Sequence, residues 1–260
     1  MRLLFGSTGA RVRTGVLAAV LAIGIGGAGA APASAAPSSH DAITYAAVGD
    51  SYAAGQSRDC THTATSYPLL LDRLRGIDLV QNTTCAGATT ADVGTSQLAA
   101  LPRDVRLVTV TVGANDLDVA GLVQVCVPDA SSPACQTAIL TRQAHLPALF
   151  ASLQATFAAI ATTAPRAKIV VTGYAPLVST GPIYSATQAL NDVIRNAALS
   201  LARCDVHIRY VDVQFTGHTL DSPDPWFTAA GPDPFHPTAA GELAYARAIA
   251  AALHLTHTDR

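Results

Sequence analysis

Four short segments of this chain carry groups that fit one kind of reaction, the transfer of an acyl group. Gly49-Asp50-Ser51-Tyr52 offers a hydroxyl at a turn, and Thr84-Cys85-Ala86-Gly87-Ala88-Thr89 places a glycine whose backbone N–H can come close to a ligand. Gly113-Ala114-Asn115-Asp116 adds a side-chain amide, and Asp233-Pro234-Phe235-His236-Pro237 puts an acid shortly before an imidazole. Acyl transfer needs a nucleophile, a base held in one tautomer, and two or three donors aimed at the developing oxyanion, each lowering the barrier by about 2.7 to 4 kcal/mol. Ser51 has the chemistry of the nucleophile, His236 of the base and Asp233 of the acid that orients it. Gly87 and Asn115 have the chemistry of the donors. Taken singly, each segment is ordinary turn chemistry. Their occurrence together is what points beyond turns. Among the other histidines, His40, His62, His254 and His257 read as structural or exposed.

The elements that must position these groups follow from the apolar pattern. Residues 43–48 read as a buried strand ending at the Ser51 turn, and residues 67–74 as an amphipathic helix capped by Ser66. Short strands follow at 77–80 and at 105–112, the second stopping at Gly113. Residues 125–133 read as a loop pinned by Cys126 and Cys135, and residues 137–163 as helix, broken or kinked at Pro147. A strand over 168–172, a helix over 188–203, a strand over 208–211, a long ordered loop over 216–237 and a last helix over 238–253 complete the chain. Alternating strands and helices predict an α/β fold: three layers, α/β/α, around a central parallel sheet of about five strands. In such a sheet the ligand sits beyond the carboxyl ends of the strands, where three of the four segments fall.

Composition narrows the classes further. Arg2, Arg11 and Arg13 precede a glycine-rich apolar run over 16–31 and then Ala33-Ser34-Ala35, the pattern of a secretory signal peptide over 1–35. Cleavage there leaves about 225 residues, the size of a single domain over 36–260. No later segment is expected to reach membrane-spanning length, so stable membrane insertion is not expected. The 16 basic and 18 acidic side chains become 13 against 18 after cleavage, a formal charge of −5, and Lys168 is the single lysine. That balance argues against nucleic acid as a partner. The expected state is a monomer. Five cysteines in an oxidising compartment predict disulfides. Sequence does not fix their connectivity; pairing neighbours gives Cys60 with Cys85 and Cys126 with Cys135, each worth about 2.5 to 3.5 kcal/mol in the loop-entropy picture. Cys204 is then left over and reads as a small buried hydrophobe. Trp226, Phe227 and Phe235 read as packing for the long loop rather than as the border of an acyl groove.

The four segments, in this order, resemble the SGNH hydrolase family, the GDSL-type esterases and lipases, over about residues 43–253. The four name-giving residues fall on Ser51, Gly87, Asn115 and His236, and the GDS, GxND and DxxH patterns are all present. The resemblance is greatest to the secreted bacterial lipase and esterase branch. It implies a flavodoxin-like fold and a secreted serine ester hydrolase, whose partner is a small-molecule or lipid ester and which calls for no metal or organic cofactor. Ser51 would be nucleophile and, through its N–H, first oxyanion donor; Gly87 N–H and the Asn115 amide would be the others, with His236 as base. Asp233 would complete a triad, although a backbone carbonyl orients the histidine in some members. Two departures stand out: Tyr52 replaces the name-giving leucine, and five cysteines stand where relatives have six, so a third bridge is absent. The same machinery would serve a carbohydrate O-acetylesterase, and a non-catalytic binding protein on this fold is a third reading. Dinucleotide binding at the first turn is excluded, because the stretch from Val48 to Gly55 lacks GxGxxG.

Overall fold

Strand β1 (Ile43–Gly49) opens an alternation of strands and helices. A one-turn helix α1 (Ser51–Ala54), then α2 (Tyr67–Asp72), β2 (Ile77–Asn82), the short α3 (Thr90–Asp92) and β3 (Leu107–Thr111) form the first half. Helices α4 (Val119–Cys126), α5 (Pro133–Ala144) and α6 (Leu146–Thr163), strand β4 (Lys168–Thr172), α7 (Gly181–Ala202), β5 (Ile208–Val211) and α8 (Ala239–Ala252) form the second. The structure, a computed structural model, describes residues 42–56 and 58–255, which lie within one compact unit, Ser39–Arg260. The expected signal peptide over 1–35 lies outside the described residues.

The five strands pair in parallel in the order β2-β1-β3-β4-β5. This is the expected doubly wound, flavodoxin-like sheet, with its switch point between β1 and β3, where a ligand crevice opens at the carboxyl edge. Because successive strand residues face opposite sides, each strand feeds two cores. On one side Val48, Val110 and Val171 pack with Leu153, Phe157 and Ile160 of α6 and Ile194 of α7. On the other, Tyr45, Ala47 and Val170 pack with Leu71 of α2 and Tyr245 and Ile249 of α8. Helices therefore cover both faces, as the alternation predicts.

Several boundaries differ from expectation for identifiable reasons. Helix α7 begins at Gly181 rather than at 188, since Pro182 sits in its first turn, where a missing N–H costs nothing. Residues 125–133 are not all loop: the chain is helical through Cys126, capped by the Asp118 side chain, which accepts from Gly121 N–H. Pro147 marks a break as expected, because α5 stops at Ala144 and α6 restarts with the proline in its first turn. Both neighbour disulfides are formed, Cys60–Cys85 and Cys126–Cys135. Cys204 is exposed, not buried: α7 ends at Ala202 and the thiol lies on the turn beyond it. Contrary to expectation, α6, with 18 residues and a mean hydropathy of 1.4, is long and apolar enough to cross a membrane. Its Leu149, Leu153, Phe157 and Ile160 are nonetheless packed in the core against the sheet.

Candidate active site

Ser51 lies at the carboxyl end of β1, the first residue of α1. The turn before it demands a glycine: Gly49 has φ +128°, and a Cβ there would come within 2.2 Å of the Thr111 carbonyl oxygen on β3. The Gln97 side chain grips Gly49 from both sides, accepting from its N–H at 2.7 Å and donating to its carbonyl at 2.9 Å. Gln97 ends a π-helical turn, Val93–Gln97, an irregularity often found beside functional sites. Asp50 caps α1 by accepting from Tyr52 N–H at 3.0 Å.

Ser51 Oγ stands 2.8 Å from His236 Nε2 across 185 residues of sequence, and the serine is 9% exposed. The other ring nitrogen, Nδ1, is 2.9 Å from the Pro234 carbonyl oxygen. A carbonyl can only accept, so Nδ1 carries the proton and Nε2 is left as the acceptor for the serine hydroxyl. Burial holds the imidazole below its usual 6.5, partly opposed by the Pro234 hydrogen bond and the Asp233 charge, so the neutral base dominates at pH 7. The Nδ1 position expected for Asp233 is thus taken by a main-chain group. The Asp233 carboxylate stands 3.9 Å from Arg58, and its backbone carbonyl accepts from the Thr228 hydroxyl.

The histidine loop is built to present this carbonyl. Phe235, a non-glycine residue at φ +65°, adopts a left-handed conformation that costs about 1 to 2 kcal/mol. Its N–H donates to Thr228 at 2.7 Å, Thr228 N–H donates to His236 at 2.9 Å, and the Tyr52 hydroxyl donates to the Phe235 carbonyl at 3.0 Å.

Asn115 begins a 3-10 turn after β3, and its Nδ2 donates to the Ala88 carbonyl at 3.0 Å, leaving a second N–H. Asp116 accepts from the Thr90 N–H and hydroxyl, so this turn holds the loop that contains Gly87. Gly87 is exposed at φ +78°, with open space around it. Ser51, Asn115 and His236 line one cleft with Tyr52, Tyr174 and Phe235. Gly87 is not on its wall and borders a neighbouring depression with Cys85 and Ala88. Phe235 therefore does border the cleft, whereas Phe227 is 2% exposed and packs on Phe215, and Trp226 stacks on His218. Tyr52, Val119, Val123 and Tyr174 also line a second, more enclosed and narrow apolar cavity, reaching Ile139 and Ile183.

Sequence reasoning did not single out Gln97, Asp116 or Tyr174. Gly49 lies 48 residues from Gln97 and Asp50 lies 124 from Tyr174, so no local pattern marks those two, and Asp116, though within the GxND pattern, shows its role only through Thr90, 26 residues away.

Residues 47–244 match the GDSL-like lipase/acylhydrolase family. The chain is 33% identical over 251 residues to Lipase 1 of Streptomyces coelicolor, covering 86% of this chain and 91% of that one. Among solved structures it is similar to an extracellular lipase from Streptomyces rimosus (TM-score 0.74, 29% identity, 81% of this chain and 100% of that one). It is also similar to a phospholipase A1 from Streptomyces albidoflavus (TM-score 0.71, 29% identity, 81% of this chain and 99% of that one).

Proposed function

Because the chain belongs to the GDSL-like lipase/acylhydrolase family and is a carboxylic ester hydrolase, we propose that Ser51 and His236 carry out its acyl transfer. The observation that carries this reading is the 2.8 Å contact between Ser51 Oγ and a His236 whose other nitrogen is committed to the Pro234 carbonyl.

Neutral His236 takes the hydroxyl proton as Ser51 attacks the ester carbonyl. The negative charge that develops on the carbonyl oxygen is met by the Ser51 N–H and the free Asn115 N–H, and Gly87, which borders the adjacent depression rather than the cleft wall, is the third donor the sequence suggests. Collapse of the tetrahedral species expels the alcohol, which receives its proton from His236. Water, deprotonated by the same imidazole, then releases the acid and restores Ser51. Pro234 orients the base, and Asp233 favours its charged form from nearby. These roles would give Ser51, His236, Gly87 and Asn115 the positions the sequence suggests, with Asp233 auxiliary.

The acyl chain of the substrate lies along Val119 and Val123 into the enclosed apolar cavity. Its reach toward Ile139 and Ile183 favours chains longer than acetyl. The signal-peptide pattern, the two disulfides and the extracellular relative support action outside the cell. The test is turnover of p-nitrophenyl esters from acetate to long chains, beside Ser51→Ala. Activity rising beyond acetate and absent from the variant is expected. Equal activity in wild type and variant would remove the serine from the mechanism. A sharp acetyl preference with turnover of acetylated xylan would instead make the chain a carbohydrate O-acetylesterase.

A further inference from the structure

Three turns from three different strands must keep register for the chemistry above: the Ser51 turn after β1, the Asn115 turn after β3, and the histidine loop. Two tyrosines, Tyr52 partly buried and Tyr174 buried, join them. The Tyr52 hydroxyl holds the residue before His236, as described above. The Tyr174 hydroxyl accepts from the Ala114 N–H at 3.1 Å and donates to Asp50 Oδ2 at 2.5 Å. Ala114 immediately precedes Asn115, and Asp50 immediately precedes Ser51. Tyr174 is itself immobilised: the Asn191 amide accepts from its N–H and donates to its carbonyl, both at 2.8 Å, and its ring meets Tyr52 edge-on at 5.1 Å. Tyr174 is 4% exposed and Asn191 fully buried, so this fixture sits in the wall of the catalytic cleft.

Resting on Ser51 as nucleophile and Asn115 as oxyanion donor, we propose that Tyr174 is a positioning residue, its hydroxyl locking the nucleophile turn to the oxyanion turn through Asp50 and Ala114. The direction of its hydrogen bonds makes the lock depend on charge. A hydroxyl that accepts from Ala114 has its one proton for Asp50, and ionised Asp50 accepts on both oxygens, from Tyr52 N–H and from Tyr174. Protonated Asp50 must itself donate, which displaces one of these bonds. Burial raises the Asp50 carboxyl from 3.8 to about 7, and the Tyr174 hydrogen bond pulls it down from where burial alone would leave it. The other ionisable groups that interact with it are Asp116 and the phenols of Tyr52, Tyr67 and Tyr245, and Glu242 lies beyond, beside the same three phenols. Glu242 and the three phenols are raised by burial and Asp116 raises Asp50 further, while His236 titrates below its usual range.

The test compares Tyr174→Phe, Asp50→Asn and the double variant by kcat, KM and the pH profile of kcat/KM on a p-nitrophenyl ester. Fluorophosphonate labelling of Ser51 counts competent sites. Tyr174→Phe is expected to lower kcat on the order of 10- to 100-fold with little change in KM. Its acidic limb is expected to move to higher pH, because Asp50 loses the bond that stabilises its charge. Asp50→Asn should move that limb to lower pH, leaving His236 to set it, and Glu242→Gln should leave it where it is. The double variant should lose no more than the worse single one, since both break the same lock. Tyr174→Phe with wild-type kcat and an unmoved limb, or losses that simply multiply, would overturn the proposal. If Tyr174→Phe does not accumulate, Asp50→Asn decides, an unmoved limb counting against the lock. Failure of wild-type protein to label at Ser51 would overturn the nucleophile assignment and the lock with it. Normal labelling with unchanged kinetics would overturn the lock alone.

Discussion

A main-chain carbonyl, rather than a carboxylate, meets the buried nitrogen of His236, and that choice has a kinetic consequence. Carbonyl and carboxylate both fix the tautomer, but only the carboxylate adds a full charge to stabilise the imidazolium. With Pro234 as the orienting group, Asp233→Asn should keep kcat within about tenfold of wild type, while His236→Ala should cost on the order of 10⁴-fold or more. Steady-state kinetics on p-nitrophenyl butyrate compare the two, and an Asp233→Asn loss as deep as that of His236→Ala would make Asp233 the true orienter. At this scale the sequence is readable where residue type is the chemistry. A serine, a glycine, an amide and a histidine in short turn motifs become candidates when the four segments are taken together, though each alone is ordinary turn chemistry. Gln97 and Tyr174 do not, because what they do depends on Gly49 and Asp50, 48 and 124 residues distant.

The cleft owes its shape to α4, which separates the catalytic edge from the enclosed apolar cavity and is tied to α5 by Cys126–Cys135. Val123 is 4% exposed and is among the residues that line both spaces, so a larger side chain there would obstruct an acyl chain running from one into the other. Val123→Trp should therefore lower the octanoate-to-acetate ratio of kcat/KM by about tenfold or more. It should also cost about 1 to 3 kcal/mol of stability through overpacking. An unchanged ratio in a folded variant would show that acyl chains do not pass this point. Helix α4 is also the element that eluded the sequence reading. Val119, Val123 and Val125 lower helix propensity, Gly121 lowers it more, and the Asp118 cap that starts the helix lies in a left-handed conformation no pattern foretells. By contrast, β4 and β5 fall on the expected residues, because β-branched runs bounded by breakers leave one solution.

Across the whole molecule, the unusual feature is the number of ionisable groups sealed beneath the catalytic edge. Asp50 and Glu242 are each 1% exposed, and burial raises both carboxyls. A carboxyl whose folded pKa lies above its unfolded one binds its proton more tightly when folded, so it stabilises at low pH and that stabilisation is lost as pH rises. For Asp50 the loss falls between 3.8 and about 7. It amounts to about 4 kcal/mol, an order-of-magnitude figure. Urea unfolding should accordingly show stability declining from pH 5 to pH 8, with a shallower decline in Asp50→Asn; an identical slope in the variant would contradict the burial of a titrating Asp50. The parallel sheet of about five strands was legible, since strands alternate with helices along the chain, while its flavodoxin-like arrangement was implied by the family resemblance. The buried acids were not. Nothing in the sequence distinguishes Asp50 from a solvated turn aspartate, and only packing by Tyr52, Tyr174 and their neighbours removes its water.

The central claim, that the acyl group of the ester is transferred to Ser51 as the alcohol leaves, before water releases it as the acid, is tested most directly by acid-quenching the enzyme during turnover of p-nitrophenyl octanoate and mapping the acyl group by peptide mass spectrometry. The account predicts an octanoyl adduct on the peptide that contains Ser51, absent from Ser51→Ala. An adduct on another residue, or full turnover by Ser51→Ala, would contradict it.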